Sequence, residues 1–336
     1  MRNTKRMMAK LAAVALSAGM IAALGACEGA VPTPQSVDAS QRTPDLTVEQ
    51  EQRIRSGILD VIDAANEAKS VDGLAARLTG PQLEVRTSEI TIAQATGQLD
   101  AKAAIPRDMT QTVIPVDDGW PRTAYTITTT TEDQQSKRLL VMTQDSARSN
   151  YKLWGVARLF QGAELPKFEV PRLGTNMGYD KDEQLVATPA EAVEHYVDLL
   201  NNGDASQYKD QFADDYFRSD LAQLVATVQQ GMEANNGTQQ QIFTLPDNAI
   251  KIMRSTDGGD LVVARIDSEW TRQAGEGRES LPASDAEKAL FGDGTATSTM
   301  KVTYVNVIAM YVPPADSGRQ ITAVGAERQP VKVEAL

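Results

Sequence analysis

Two groups of side chains have the residue types and spacing that proton transfer requires. His195, the only histidine in the 336-residue chain, follows Glu191 by four positions, so both lie on one face of a predicted helix. A carboxylate in that position can orient an imidazole that acts as a general base. The same spacing is also typical of a boundary histidine paired with a neighbour on its own helix. The sequence leaves both interpretations open.

The second group is Asp214-Asp215-Tyr216, which directly precedes a long predicted helix. An acid and a tyrosine that face one pocket can abstract a proton and stabilise the oxyanion that results. The alternative is structural, because carboxylates complement the positive end of a helix and the aromatic ring can pack beside it. Catalytic and capping roles therefore both remain hypotheses for Asp215 and Tyr216.

Three aromatic residues complete the candidate ligand pocket. Tyr125 and Trp154 lie in predicted strands, and the apolar neighbours of Trp154 favour a packing role over ligand stacking. Trp270 ends a predicted strand immediately before a polar insertion, where it could stack on a ligand at the mouth of a pocket. The candidate pocket residues are Tyr125, Trp154, His195, Asp215, Tyr216 and Trp270.

The composition excludes several classes of site. One histidine and one cysteine cannot build a zinc site from several His or Cys ligands, and no Walker loop or GxGxxG motif is present. A formal net charge of −12 argues against nucleic-acid binding through bulk electrostatics. We therefore expect no metal, no cofactor and no nucleic-acid partner.

The N-terminus carries the strongest local signal. A basic start is followed by an apolar run of 14 residues, Leu11 to Leu24, and then by Gly25-Ala26-Cys27. These residues resemble the lipobox of bacterial lipoproteins. The resemblance implies that residues 1–26 are a signal peptide, that Cys27 is lipidated, and that the chain is held on the extracytoplasmic side of the cell membrane. A plain secretory signal and an uncleaved anchor are the alternatives, although a membrane span needs about 20 apolar residues.

The rest of the chain is predicted to contain two similar halves. Residues 27–46 are rich in Pro, Ser, Thr and Gln and favour a flexible tether. Residues 47–171 show helical periodicity and then four strand-like segments, and 188–336 repeat that order after a linker at 172–187. A polar insertion at 272–298 interrupts the second half, and we expect it to be a mobile loop with a short helix at about 285–290.

This order of elements resembles the nuclear-transport-factor-2-like (NTF2-like) or cystatin-like fold, in which helices precede a curved antiparallel sheet. The resemblance implies an α+β chain of two tandem NTF2-like modules. A local match between Trp154-Gly155-Val156 and Val324-Gly325-Ala326 favours an ancient duplication. Residues 141–169 also resemble a segment of lipoproteins from high-GC Gram-positive bacteria, a largely uncharacterised family.

The functional prediction is a membrane-anchored, non-catalytic binding or interaction module of the cell envelope. Its partners would be the membrane, through the lipid, and an envelope protein or polymer. A small-molecule receptor is one alternative. The other is an NTF2-like enzyme, of isomerase, dehydratase or sugar-modifying type, that uses carboxylate and tyrosine groups.

Overall fold

The structure is a computed structural model that describes residues 43–117, 119–130 and 136–336. Residues Thr43–Leu336 belong to one compact unit. The predicted signal peptide and Cys27 lie outside the described residues, as does most of the predicted tether.

The helix starts that the sequence marks are confirmed. Thr47 and Gln50 form a reciprocal capping box before the first helix, and Thr188 and Glu191 form another before the third. Each box satisfies backbone N–H groups that have no partner in the first helical turn. Within the described residues the α-helices are α1 Val48–Ala68, α2 Gly80–Thr96, α3 Pro189–Asn202, α4 Tyr216–Glu233 and α5 Asp285–Phe291. Short 3₁₀ turns span Leu74–Ala76, Ala101–Ala103, Gly203–Ala205, Lys209–Gln211 and Ala315–Ser317.

The strands follow the predicted segments closely, because each segment is rich in β-branched and aromatic residues between polar turns. In the described residues they are β1 Met109–Val113, β2 Arg122–Thr128, β3 Arg138–Gln144, β4 Lys152–Leu159, β5 Thr238–Thr244, β6 Ile250–Arg254, β7 Asp260–Gln273, β8 Thr299–Val312 and β9 Thr322–Ala335.

The prediction of two tandem NTF2-like modules is wrong. All nine described strands form one antiparallel sheet in the order β1-β2-β3-β4-β9-β8-β7-β5, with β6 also paired to β7. The joint is the pairing of β4 with β9, which aligns Arg158 with Ala326 and Leu159 with Gly325. The helices of the second half, α3 and α4, lie in the middle of this single-sheet chain rather than at the start of an independent module. The local match at Gly155 and Gly325 therefore marks two adjacent strands of one sheet.

The sheet curls so that its two halves share a core. Strands β2 and β6 come from opposite regions of the strand order, yet they lie against each other. One buried cluster accordingly contains Tyr125 and Trp154 from the first half together with Val263 and Val307 from the second. Helix α1 packs on the first half and α3 and α4 pack on the second, whereas α2 contacts β4 of the first half as well as β8, β9 and α5 of the second.

The predicted linker and insertion both contact the sheet. Residues 172–187 form isolated bridges in which Thr175 meets Pro115, Met177 meets Met253 and Leu185 meets Pro314. The insertion at 272–298 begins inside β7, and its predicted short helix is confirmed as α5.

The β4–β9 joint depends on a glycine. A Cβ atom on Gly325 would lie 2.6 Å from the Arg158 carbonyl oxygen and 3.0 Å from the Leu159 Cα. Both obstacles are backbone atoms, so they cannot rotate away. We therefore expect Gly325→Ala to lower the free energy of unfolding by about 2–4 kcal/mol, measured by urea denaturation.

Gly231→Ala is the matched control. Gly231 lies in α4 and a Cβ there would meet nothing within 4 Å, so we expect a gain of about 0.5–1 kcal/mol from higher helix propensity. Equal stability of Gly325→Ala and the wild type would contradict a tight joint at this position.

Candidate functional site

A cavity opens between the C-terminal end of α3, the start of α4 and strand β5, and we refer to it as the α3–α4 cavity. Its volume is about 950 Å³, which lies within the usual size range for small-molecule sites. Apolar side chains form part of the lining, and charged side chains form another part. The apolar members include Leu199, Phe212, Leu221, Val225 and Phe243, and the charged members are Asp204, Lys209, Asp210, Asp214, Asp215 and Arg218.

Asp215 anchors the start of α4. Its carboxylate accepts the Arg218 backbone N–H at 2.9 Å and the Arg218 Nε–H at 2.6 Å, and it also accepts the Tyr196 hydroxyl at 3.2 Å. Burial raises the pKa of Tyr196 well above its usual value, and the negative charge of Asp215 adds to that rise. The carboxylate is thus committed to capping the helix and holding α3 against α4.

His195 lies near the cavity but is also committed to packing. Its Nδ1 atom is 2.8 Å from Oε1 of Gln211, and its ring stacks on Tyr208 with 3.6 Å between centroids. Glu191, the expected orienting carboxylate, instead accepts hydrogen bonds from the Thr188 backbone and hydroxyl. These bonds to Thr188 lower the pKa of Glu191, which accords with its role in the capping box.

The other candidate pocket residues are distributed over the molecule. Tyr125 and Trp154 are buried in the shared core, where burial raises the Tyr125 pKa well above its usual range. Trp270 is buried in a separate cluster, and its indole N–H donates to Gln239 at 2.8 Å. Tyr216 is 57% exposed and contacts Phe160 edge-on, on a different face of α4 from the cavity. The six residues therefore do not converge on one pocket.

Several cavity residues were missed by the sequence reasoning. Gln241 lines the cavity from β5, and its Nε2 atom is shielded from water without a hydrogen-bond partner among the described residues. The sequence does contain a pattern that marks Gln241. Gln239, Gln241 and Phe243 occupy alternate positions along β5, so they share one face of the strand, which is the better-buried face. A polar side chain on such a face points to a polar function at that site. Lys209 and Asp210 lie in a 3₁₀ turn, which no periodic pattern marked.

The cavity is electrostatically negative. Among its described lining residues, four aspartates face only Lys209 and Arg218, and Arg218 is already paired with Asp215. Asp204, Asp210 and Asp214 are exposed at the rim. An apolar region beneath an acidic rim favours ligands that combine an apolar body with a positive charge.

The described part of the chain has neither a cluster of metal-binding side chains nor a helix suited to span a membrane. No group of three or more His, Cys, Asp or Glu side chains there is arranged to hold a metal ion. None of the helices in residues 43–117, 119–130 and 136–336 combines the length and apolarity needed to cross a bilayer.

Comparison with known proteins gives one match. The model of a family described as a domain of unknown function, DUF8094, matches residues 43–332. No curated protein and no solved structure matches the chain.

Proposed function

The chain belongs to the DUF8094 family, a domain of unknown function, and we propose that it is a non-catalytic binding protein of the cell envelope that is anchored through lipid on Cys27. The α3–α4 cavity is its binding site. The ligand is a small organic cation with an apolar body. The observation that carries this proposal is the combination, in one cavity of about 950 Å³, of an apolar lining and an acidic rim.

Binding is favoured over catalysis because the groups that could transfer protons are occupied or separated. The Asp215 carboxylate accepts hydrogen bonds from Arg218 and Tyr196. The His195 ring is hydrogen-bonded to Gln211 and stacked on Tyr208. A general base needs a free lone pair within hydrogen-bonding distance of the substrate proton.

The anchor proposal rests on the Leu24-Gly25-Ala26-Cys27 lipobox and the polar segment that follows it. Two or more acyl chains provide stable attachment, which a single chain does not. Lipid modification predicts that the full-length chain sediments with membranes and that Cys27→Ala releases it. Equal sedimentation of both forms would refute attachment through Cys27.

Calorimetry on the full-length chain in detergent tests the cavity, with phenethylamine and the uncharged 2-phenylethanol as a matched pair of probes. We expect the amine to bind more tightly, because only the amine can pair with the rim carboxylates. Asp210→Asn and Asp214→Asn should each raise its Kd by about 1.5- to fivefold, as expected for exposed charge pairs.

Asp316→Asn is the control, since Asp316 is an exposed aspartate in a turn outside the cavity. It should leave the Kd of phenethylamine unchanged. The proposed ligand class is wrong if the alcohol and the amine bind equally, or if Asp316→Asn weakens amine binding as much as the two rim substitutions do.

A further inference from the structure

Strand β1 is one of the two outer strands of the sheet, and residues Met109 to Thr112 line a groove at its outer edge. We refer to it as the β1 groove, and its volume is about 620 Å³. Helix α1 forms one wall, and residues 168–171 form the other. An outer strand presents backbone N–H and C=O groups that can pair with a further strand.

The opposite outer strand, β5, has a covered edge. The Asn201 side chain of α3 donates to the Phe243 carbonyl at 2.9 Å and accepts the Phe243 N–H at 2.8 Å, so its amide takes the place of a neighbouring strand. The Gln239 side chain of β5 also donates to the Val225 carbonyl of α4 at 2.9 Å. The two ends of the sheet therefore differ, because helices pack over β5 whereas β1 borders a groove.

Just beyond β1 the same edge is already paired with another part of the chain. The Ile114 carbonyl accepts the Thr175 N–H at 2.8 Å, while the Pro115 carbonyl points the other way and accepts the Asp45 N–H at 2.9 Å. Asp45 lies on the β2 side, since its carboxylate pairs with Arg122 at the start of β2. Thr175 therefore lies on the side that faces away from β2.

The direction of the Thr112 backbone follows from this pairing. Backbone groups alternate in direction along a strand, so the N–H and C=O of Thr112 point to the same side as those of Ile114, away from β2. Among the described residues, Thr112 has no backbone–backbone hydrogen bond outside the β1–β2 ladder. A strand placed in the β1 groove would extend the pairing that Thr175 begins.

The two walls of the groove lie on opposite faces of the sheet. Thr126 is opposite Thr112 in the ladder and donates its hydroxyl to Glu51 of α1 at 3.0 Å, so α1 covers that face. Phe168 of the second wall packs in the buried cluster that contains Tyr125, which is on the other face. The side chains of an added strand would meet the two walls alternately. Strand-addition sites use this geometry, with main-chain bonds for affinity and side-chain contacts for specificity.

The exposed side chains of the groove define the chemistry of the partner. Val48 of α1 is 46% exposed and Val170 of the second wall is 49% exposed. Asp108 and Glu169 are exposed in the lining, whereas Arg107 is already paired with two aspartates of α1. Apolar walls with free carboxylates favour a strand that carries apolar and basic residues. Strand β1 of a second copy has no basic residue and would bring the same carboxylates.

We propose that the β1 groove binds an extended segment of a partner polypeptide in which apolar and basic residues alternate, and that this segment adds a strand to the sheet beside β1. The site is separate from the α3–α4 cavity and does not depend on its amine ligand.

The test is calorimetry on the full-length chain in detergent with the peptide acetyl-Val-Lys-Val-Thr-Val-Lys-Val-amide. We expect it to bind at least about fivefold more tightly than the same peptide with Glu in place of Lys, because attraction to the groove carboxylates becomes repulsion. Two further peptides carry one N-methyl group each, on adjacent central residues. Only one of these N–H groups can face β1, since the alternating pattern fixes the register. One methylated peptide should therefore lose at least about fivefold in affinity, and the other should lose little.

Two variants of the chain test the groove itself. Thr112→Pro removes an N–H that faces the groove and leaves the β1–β2 ladder intact, so it should weaken peptide binding by at least about fivefold. Glu169→Gln should weaken it by about 1.5- to fivefold through the loss of an exposed charge pair. Glu164→Gln is the matched control, because Glu164 is exposed in the same connecting segment but lies outside the groove lining. It should leave peptide binding unchanged.

The proposal is overturned if the Val-Lys peptide does not bind, if the two N-methylated peptides bind equally, or if a folded Thr112→Pro binds the peptide as the wild type does. If Thr112→Pro does not fold, the methylated pair and Glu169→Gln decide the question. Sedimentation velocity in detergent tests a second copy as the occupant. A wild-type dimer that Thr112→Pro converts to a monomer would make the groove an interface between copies, and would also overturn the proposal.

Discussion

Glu287→Ala is expected to lower the free energy of unfolding by about 3–5 kcal/mol, because it leaves the buried guanidinium of Arg272 without its ionic partner. Glu287 of α5 and Arg272 of β7 are each 5% exposed. Arg272 donates to both carboxylate oxygens, with Nη1 at 3.2 Å from Oε1. The pair fastens the short helix of the insertion to the longest strands of the sheet. Removing one partner leaves the other desolvated and uncompensated, which costs more than the pair contributes when intact.

Urea denaturation provides the measurement, and α5 supplies its own control. Lys288 pairs with Asp285 on the same helix, but their side chains are 66% and 83% exposed. Lys288→Ala should therefore change stability by no more than about 0.5 kcal/mol. The double variant Arg272→Met/Glu287→Met should recover most of the loss, since it leaves no buried charge unpaired. Similar losses in Glu287→Ala and Lys288→Ala would contradict this account.

The second large expectation concerns pH. We expect the protein to be most stable near pH 5 and to lose stability as the pH rises to about 8. The reason is that burial raises the pKa of Asp260 to about 7 and the pKa of Glu89 to about 7. Arg254 pairs with Asp260 at 2.8 Å and limits that rise, whereas the nearby Asp182 carboxyl adds to it. For Glu89, Arg86 limits the rise and Glu327 adds to it.

The sign follows from proton binding. Between the ordinary carboxyl pKa values of 3.8 and 4.5 and a pH of about 7, the folded protein retains protons on Asp260 and Glu89 that the unfolded chain releases. Stability therefore falls as the pH rises through this window and levels off above it, by about 1–3 kcal/mol for each group. Groups with a lowered pKa, such as Glu49, act in the opposite direction but only below this window.

Denaturation curves at pH 5, 6, 7 and 8 test this expectation. Asp260→Asn and Glu89→Gln should each flatten the profile, because each removes one titrating group. Glu49→Gln, at an exposed helix start, should leave it unchanged. A profile that rises from pH 5 to pH 8 would show that these carboxyls are ionised in the folded protein.

The elements of the fold were predictable because they depend on local chemistry. Thr188-Pro189-Ala190-Glu191 places a cap, a proline at the first helical position and a reciprocal carboxylate within four residues, and the structure shows all three contributing to the start of α3. Strand β8 coincides with the predicted segment 299–312 because the segment is rich in β-branched and aromatic residues and contains no Gly or Pro.

The pairing of those elements was not predictable from local pattern. Each half reads as a complete helix-then-strand unit, and nothing near β4 in the sequence indicates that its edge pairs with β9. The relevant signal is Gly325, whose missing side chain permits the close backbone approach to Arg158. The same glycine was interpreted as part of a repeated motif. A single sequence does not show whether a glycine belongs to a duplicated motif or allows two backbones to approach closely.

The candidate site residues also divide into those whose roles depend on local sequence and those whose roles depend on the pairing of distant strands. The capping role of Asp215 is local and was one of the two stated hypotheses for it, and the structure shows this contact. The α3–α4 cavity combines residues from distant segments, such as Phe212 with Phe243. Such combinations depend on sheet order and curvature.

The position of β9 also sets the order in which the sheet can form. β9 is the last described strand, yet it lies in the interior of the sheet between β4 and β8, and it meets β4 across about half the length of the chain. A chain delivered N-terminus first presents β4 long before β9 arrives. Until then the edge of β4 has no sheet neighbour, and it can pair with other nascent chains. We therefore expect closure of the sheet to be a late, long-range event that slows folding, and we expect the β4 edge to be open to intermolecular pairing until then.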